Sequence, residues 1–154
     1  MSNLMHTPGP WRWEFNKTSK SVYLVGGKPR FDKTVMQFGR WGMGHAVPLF
    51  NSHITGNQYN IMERLCDQPE WTKPFPDFEH HATWRMDVIH PDAVLMAAAP
   101  DLLADLREAA TTLRRYEKSH RAKGTADSTE KAEVNASLAA RFEATIAKAT
   151  GITP

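Results

Sequence analysis

The sequence predicts an α+β protein, in which a small antiparallel β-sheet with irregular loops is followed by a kinked helix and an antiparallel helical hairpin. All five tryptophans lie before Pro91, together with β-branched and aromatic runs that favour strands. After Pro91, alanine dominates and apolar residues recur at helical spacing. We therefore expect one domain over residues 1–154, with a strand-rich aromatic part at 1–90 and an alanine-rich helical part at 91–154.

Three segments of the first part have the composition of strands. They are WRWEF (11–15), KSVYLVGG (20–27) and DKTVMQFGRWG (32–42), and short turns between them predict a three-stranded antiparallel meander. Residues 42–56 are rich in glycine and contain Pro48, which predicts a long loop. IMERLC (61–66) predicts a short helix, and the proline-rich segment 68–78 predicts irregular chain held to the body by its aromatic residues.

The second part contains helix start and stop signals. Pro91 suits a first helical position, and Asp92 complements a helix N-terminus. Pro100 predicts a break or sharp kink at Ala99. Beyond the kink, the predicted inward face is Leu102, Leu103, Leu106, Ala109, Ala110, Leu113 and Tyr116.

The polar connector KGTADS (123–128) predicts a second helix that packs antiparallel to the first. Asp127 or Ser128 is the expected N-cap, with Glu130 at capping-box spacing, and Gly151 is the expected end. The predicted inward stripe of this helix is Val134, Leu138, Phe142 and Ile146.

Charge and apolar content limit the function classes. The net charge is +2, with ten Lys/Arg against eight Asp/Glu in residues 1–90 and nine against nine in residues 91–154. Such averages argue against a nucleic-acid partner, because binders of nucleic acid concentrate basic residues on one surface. No apolar run reaches membrane-spanning length, and MSNLMHTPGPW does not resemble a secretory signal, so we expect a cytoplasmic protein with no membrane partner. Cys66 is the only cysteine and is expected to be a buried, inert thiol.

Several motifs carry a family resemblance. HTPGPWRWE (6–14), RWGM (40–43), NIMERL (60–65) and EHH…HPDAVLMAAAPDLLADL (79–106) resemble small accessory proteins of phages and prophages, which typically begin with TPGPW and end near AAAP[DE]LL. The resemblance covers roughly residues 5–110. It implies a phage accessory protein made in a bacterial cytoplasm, in a setting where such proteins often antagonise host defences, and it implies no particular reaction.

The segment EHHATWRMDVIHPD (79–92) is the densest concentration of functional side chains. Glu79, His80, His81, Asp87 and His90 could ligate a metal, but neither a helical nor an extended backbone gives them the spacing of a zinc site. His53-Ile54-Thr55 and His81-Ala82-Thr83 share the H-x-T pattern of two-histidine phosphoesterases, although only 28 positions separate them. We therefore predict no metal, no cofactor and no catalytic residue, and expect the segment to cap the helix that follows.

Binding without turnover fits the aromatic and arginine content better than catalysis does. Flat rings stack on bases and arginines fit phosphates. The predicted ligand-binding set is Arg40, Trp41, His81, Trp84, Arg85 and His90. The leading hypothesis is a non-enzymatic accessory protein that inhibits or sequesters a host protein or a nucleotide-like small molecule, with the C-terminal helices available for a homodimer. The alternatives are a metal- or histidine-dependent enzyme acting on phosphate esters or nucleotides, and a nucleic-acid-binding factor.

Overall fold

The computed structural model describes residues 6–28, 32–41, 45–52, 60–77, 79–82 and 85–152, with only the backbone of Trp41, His45 and His81. The chain forms two compact units, residues 1–96 and residues 97–154. The first contains the β-sheet and the second contains the helical hairpin, so the architecture is α+β as predicted. Among the described residues, no helix is both long and apolar enough to cross a membrane.

The first unit is built on a five-stranded antiparallel sheet with strand order β1-β2-β3-β4-β5. The strands are β1 Trp11–Asn16, β2 Ser21–Gly26, β3 Lys33–Trp41, β4 His45–Asn51 and β5 Met62–Arg64. Two short strands, β6 Thr72–Lys73 and β7 Asp87–Val88, pair separately. Short 3-10 turns cover Leu65–Asp67, Pro69–Trp71 and Glu79–His81. The predicted three-stranded meander is confirmed as β1–β3.

Two predictions on the far side of the meander are wrong. The segment expected to be a loop contains β4, and IMERLC forms β5 and a 3-10 turn instead of a helix. β5 pairs only with Leu49–Asn51, so Pro48 lies just outside that ladder and its missing N–H interrupts no bond there. The amide of Ser52 donates to the carbonyl of Ile61 at 2.7 Å and extends the pairing of these two strands.

A β-bulge sets the core of the sheet. The register between β2 and β3 shifts between Leu24 and Val25, which leaves Val35 as the extra residue of β3. Val35 is completely buried, and Leu24, Val25 and Phe50 are the other buried apolar side chains of this unit among the described residues. The bulge therefore turns an additional branched side chain into the core.

The helices are α1 Pro91–Lys123 and α2 Ala126–Thr150. α1 begins at Pro91 as predicted. Of the break or sharp kink expected at Ala99, the break is wrong because the helix continues through Pro100, and the kink stays a prediction. A proline inside a helix removes the bond to the carbonyl four residues earlier, and its ring crowds that carbonyl. That carbonyl belongs to Met96, the last residue of the first unit.

The start of α2 is also corrected. Its N-cap is Thr125, whose hydroxyl accepts from the amide of Ser128, while the Ser128 hydroxyl accepts from the amide of Thr125. This reciprocal pair is a capping box, so the predicted cap at Asp127 or Ser128 is two or three residues too late. Gly151 ends the helix in the left-handed conformation, as expected.

The two helices of the second unit run antiparallel, since Arg114 bonds Glu143 and Arg121 bonds Glu133. Small residues form their inner seam, where Ala110, Ser128, Ala132 and Ala139 are buried. Three residues of the predicted stripes, Leu102, Tyr116 and Val134, are instead about half exposed. Ser128, Ala132, Asn135, Ala139, Phe142 and Ile146 recur at alternating steps of four and three, which is the spacing of a coiled-coil seam.

Candidate functional site

His90 connects the sheet to the start of α1. Its side chain is 1% exposed, and its ring stacks on Phe50 at 4.7 Å and meets Trp71 edge-on at 4.6 Å. The Nδ1 atom accepts from the amide of Asp92 at 3.2 Å, which caps the first turn of α1. The Nε2 atom lies 3.1 Å from the carbonyl of Asn51, which can only accept, so the ring is the neutral tautomer with its proton on Nε2.

The N-terminal TPGPW motif is tied to the same helix start. Thr7 donates its amide to Asp92 Oδ1 at 2.6 Å and its hydroxyl to Asp92 Oδ2 at 2.7 Å. Both residues are buried, and 85 positions separate them. The carbonyl of Thr7 accepts from the indole of Trp11 at 2.9 Å, which links the Thr7–Asp92 pair to β1. We call the Thr7–Asp92 pair the latch.

A second polar cluster extends from His90 into the sheet. Asn51 Nδ2 donates to the carbonyl of Thr34 at 3.0 Å and to Asn60 Oδ1 at 2.7 Å. Asn60 in turn accepts from the amide of Thr34 at 2.9 Å. These groups satisfy one another and the backbone around β3 and β4. The expectation that the end of EHHATWRMDVIHPD caps the helix is therefore met by His90, and the environment of that side chain is structural.

The predicted ligand-binding residues are not brought together by the described part of the chain. Arg40 is exposed on β3, and Arg85 is exposed with its guanidinium 5.2 Å from the ring centre of Phe75. His90 is buried as described above. Trp84 and the side chains of Trp41 and His81 lie outside the described residues. The set as a whole stays a prediction.

The metal and phosphoesterase alternatives fall partly on undescribed positions. Within the described ranges, no group of three or more His, Cys, Asp or Glu side chains could hold a metal ion. Residues 53–55, Thr83 and the side chain of His81 lie outside those ranges, so the H-x-T pair is not described.

Cys66 is exposed in a 3-10 turn, so the expectation of a buried thiol is wrong. Partial desolvation, followed by its contact with the Asp67 carboxylate at 3.5 Å, raises the pKa of the thiol. The thiol therefore stays protonated at neutral pH, which makes it a poor nucleophile. It borders an apolar depression of about 510 Å³ whose described lining contains no charged side chain, so phosphate recognition is not supported there.

The most distinctive surface lies on one face of the sheet. Trp13 is 60% exposed, Phe15 58%, Phe38 56% and Val22 41%. Trp13 and Phe15 alternate along β1, and Phe15 is paired with Val22. One step beyond the Tyr23–Gln37 pair, the antiparallel register places Val22 beside Phe38. Phe15, Val22 and Phe38 form a row across the strands, and Trp13 lies beside Phe15 in the next row; we call these four side chains the aromatic face.

The same face continues into the core at its other end. The neighbouring row across the strands is Trp13, Leu24, Met36 and Phe50, in which Leu24 and Phe50 are buried. The aromatic face is therefore the part of this surface that the described residues leave open. The alternation in WRWEF carries the signal for it, because Trp13 and Phe15 must point to the same side.

Basic side chains border the aromatic face at one end. Lys17 and Lys20 lie in the β1–β2 turn next to the Phe15–Val22 pair, and Arg40 follows Phe38 on the same side of β3. We call these three residues the basic end. In the described part of the chain, no carboxylate pairs with them. Glu14 and Asp32, the two acidic residues of residues 1–52, are both bound by Arg12.

The charge is strongly segregated along the first unit. Residues 1–52 contain seven Lys/Arg and two Asp/Glu, whereas residues 53–90 contain three and six. The near-neutral average over residues 1–90 hides this difference. Residues 1–52 are therefore a cationic segment that also carries the exposed aromatic rings, and this combination is typical of a binding surface.

Comparison with known proteins places this α+β chain in a phage family. The family model described as Salmonella phage P22 protein Y8K6 matches residues 1–153. The chain belongs to this family, and it is accordingly a phage protein. No curated protein and no solved structure matches it significantly.

Proposed function

We propose that this phage protein acts by binding and not by catalysis, and that it inhibits or sequesters a host component held on the aromatic face. The observation that carries the proposal is the exposure of Trp13, Phe15 and Phe38, each by more than half, on one side of a single sheet. Large exposed apolar clusters are characteristic of interaction sites, since exposing them to water without a partner is unfavourable.

Energetics favour this surface over the other candidates. Aromatic rings contribute large contact area with few rotatable bonds, so ordering them on binding costs little entropy. The described lining of the depression beside Cys66 has no charged side chain, and His90 is buried and hydrogen-bonded within the fold. The aromatic face combines exposed area, aromatic rings and charge in one place.

The proposal is tested by affinity capture from a lysate of the bacterial host. The wild-type chain and the double variant Phe15→Ala/Phe38→Ala are used as baits, and bound proteins, nucleic acids and small molecules are identified by mass spectrometry and sequencing. Because hot-spot aromatics dominate binding energy, the double variant should lose at least about 90% of the captured component.

Tyr116→Ala is the matched control, since Tyr116 is an aromatic residue about half exposed on α1, outside the sheet. Circular dichroism of every bait verifies the fold. Equal capture by the wild type and the double variant, with both folded, would contradict the proposal.

A further inference from the structure

We infer that the component bound by the aromatic face is single-stranded nucleic acid, with bases stacked on the rings and phosphates on the basic end. The inference rests on the proposed function and specifies the chemistry of its partner. It starts from a juxtaposition: Phe15, Val22 and Phe38 form a row across three strands, and Lys17, Lys20 and Arg40 border that row.

The geometry of the rings suits separate bases. Neighbouring strands lie about 4.8 Å apart, so Phe15 on β1 and Phe38 on β3 are about 10 Å apart and cannot share one base. Trp13 provides a further ring two positions before Phe15, on the same side of β1. Single-stranded nucleic acids are bound on open sheets in this manner, because every base has a π-face that is free to stack once the strands are separated.

The charges select the same partner. Lys17, Lys20 and Arg40 have no carboxylate partner among the described residues, and residues 1–52 carry five more cationic than acidic side chains. A polyanion gains from this surface through release of its counterions. A second copy of the chain would bring two cationic faces together, which disfavours self-association here. An acidic protein meets the charge requirement, but it does not require several separated flat rings.

A duplex is a poorer fit than a single strand. Its bases are stacked on one another, so the rings could contact only the backbone or the ends. A binding measurement should therefore give a higher affinity for the single strand than for the duplex. RNA and DNA can be compared directly by using oligomers of uridine and of thymidine.

The test is fluorescence anisotropy of the full-length protein with labelled oligo-dT, oligo-rU and a mixed-sequence duplex, each about 12 units long. We expect both single strands, or one of them, to bind at least about tenfold more tightly than the duplex. Phe15→Ala and Phe38→Ala should each weaken single-strand binding about tenfold, while Tyr116→Ala should not change it.

The basic end is tested by the salt dependence of binding. Each phosphate contact contributes about −0.7 to the slope of log K against log salt for single strands, so replacing Lys17, Lys20 and Arg40 by alanine should reduce the steepness by about 2. The matched control replaces Lys118 and Lys148, two exposed lysines of the helices, and should leave the slope unchanged.

The outcomes separate this inference from the proposed function. Failure of all single strands to bind at about 50 mM salt, or equal binding by Phe15→Ala/Phe38→Ala, overturns the nucleic-acid inference. If the aromatic face nevertheless captures a nuclease-resistant protein from lysate, the proposed function stands with a protein partner. If capture is also independent of the face, both fail.

Discussion

Thr7 and Asp92 show how two distant sequence motifs depend on one interaction. A buried carboxylate needs donors to replace the water it has lost, and Thr7 supplies both an amide and a hydroxyl. TPGPW and HPDA are therefore two halves of one contact. The sequence could mark both motifs but could not pair them, because nothing in their spacing indicates that they meet.

Removing the hydroxyl of this latch should destabilise the protein. Thr7→Val keeps the shape of the side chain and removes the hydroxyl that donates to Asp92 Oδ2. We expect the free energy of unfolding to fall by about 2 kcal/mol, measured by urea titration. Thr7→Ser should retain most of the stability, and Thr111→Val, at an exposed helix position, should change little. Equal stability of Thr7→Val and the wild type would show that the latch contributes nothing.

At the scale of elements, strands and helix ends were predicted with different success. β1–β3 follow from alternation and turn residues, and α1 begins where Pro91 and Asp92 indicate. Pro48 and the flanking glycines predict a loop where the structure has β4. A proline is tolerated in a strand when no neighbouring strand needs its N–H, and Pro48 has no partner on the β5 side because β5 is short. That is a tertiary property, which local composition does not contain.

The sequence predicts the types of residue in the candidate site but not which positions come together. Tryptophans and arginines were identified as the binding side chains, and Arg40 of the predicted set lies at the basic end. Phe15, Val22 and Phe38 were not singled out, because their adjacency depends on the register of three strands. The predicted inward stripes of the two helices are wrong in part for the same kind of reason. Alanines form the seam between the helices, and several larger apolar residues lie beside it.

The helical hairpin carries a network of exposed ion pairs that should make its stability depend on pH. Arg114 binds Glu143 through two bonds of 2.8 and 2.6 Å and also contacts Glu117, which bonds Arg121. Hydrogen bonds from Arg114, joined by Arg121 at Glu117, lower the pKa of Glu117 and of Glu143. Carboxylates with a lowered folded-state pKa stabilise the fold above the unfolded value, and that contribution is lost as the pH falls through the folded value.

We therefore expect the thermal midpoint of the helical signal to decrease between pH 7 and acid below about pH 4.3, the ordinary glutamate value. Glu143→Gln should already have a lower midpoint at pH 7 and should lose less on acidification. Glu130→Gln, an exposed glutamate of the same helix, is the control. High salt should weaken the wild-type advantage by screening. An identical acid-induced change in Glu143→Gln and the wild type would contradict this account.

For the whole molecule, the central question is whether two compact units unfold as one. All five tryptophans belong to residues 1–96, so their fluorescence reports the first unit, while most of the helical signal comes from residues 97–154. The prediction of a single domain over residues 1–154 requires both signals to change together. The division into two units gives each part its own set of contacts and favours separate transitions.

Gly26→Ala is a suitable perturbation because it acts only on the first unit. A Cβ at Gly26 would lie 2.6 Å from the backbone carbonyl oxygen of Pro8 and 2.9 Å from the ring of Trp11. We expect a loss of about 2 kcal/mol, seen as a lower midpoint of tryptophan fluorescence with a smaller shift in far-ultraviolet ellipticity. Gly39→Ala, which meets the flexible end of Leu49, should cost less. Coincident shifts in both signals would establish one cooperative unit.

The 85-residue separation of the latch has a consequence for the order in which the protein is completed during synthesis. A nascent chain emerges from the ribosome with its N-terminus first, and domains fold as their contacts become available. Thr7 emerges before Asp92, which is translated 85 residues later. β1 through β5 can pair before that point, yet Thr7 still lacks the carboxylate that binds it. Thr7 is thus fixed in place later than the strands that follow it in the sequence.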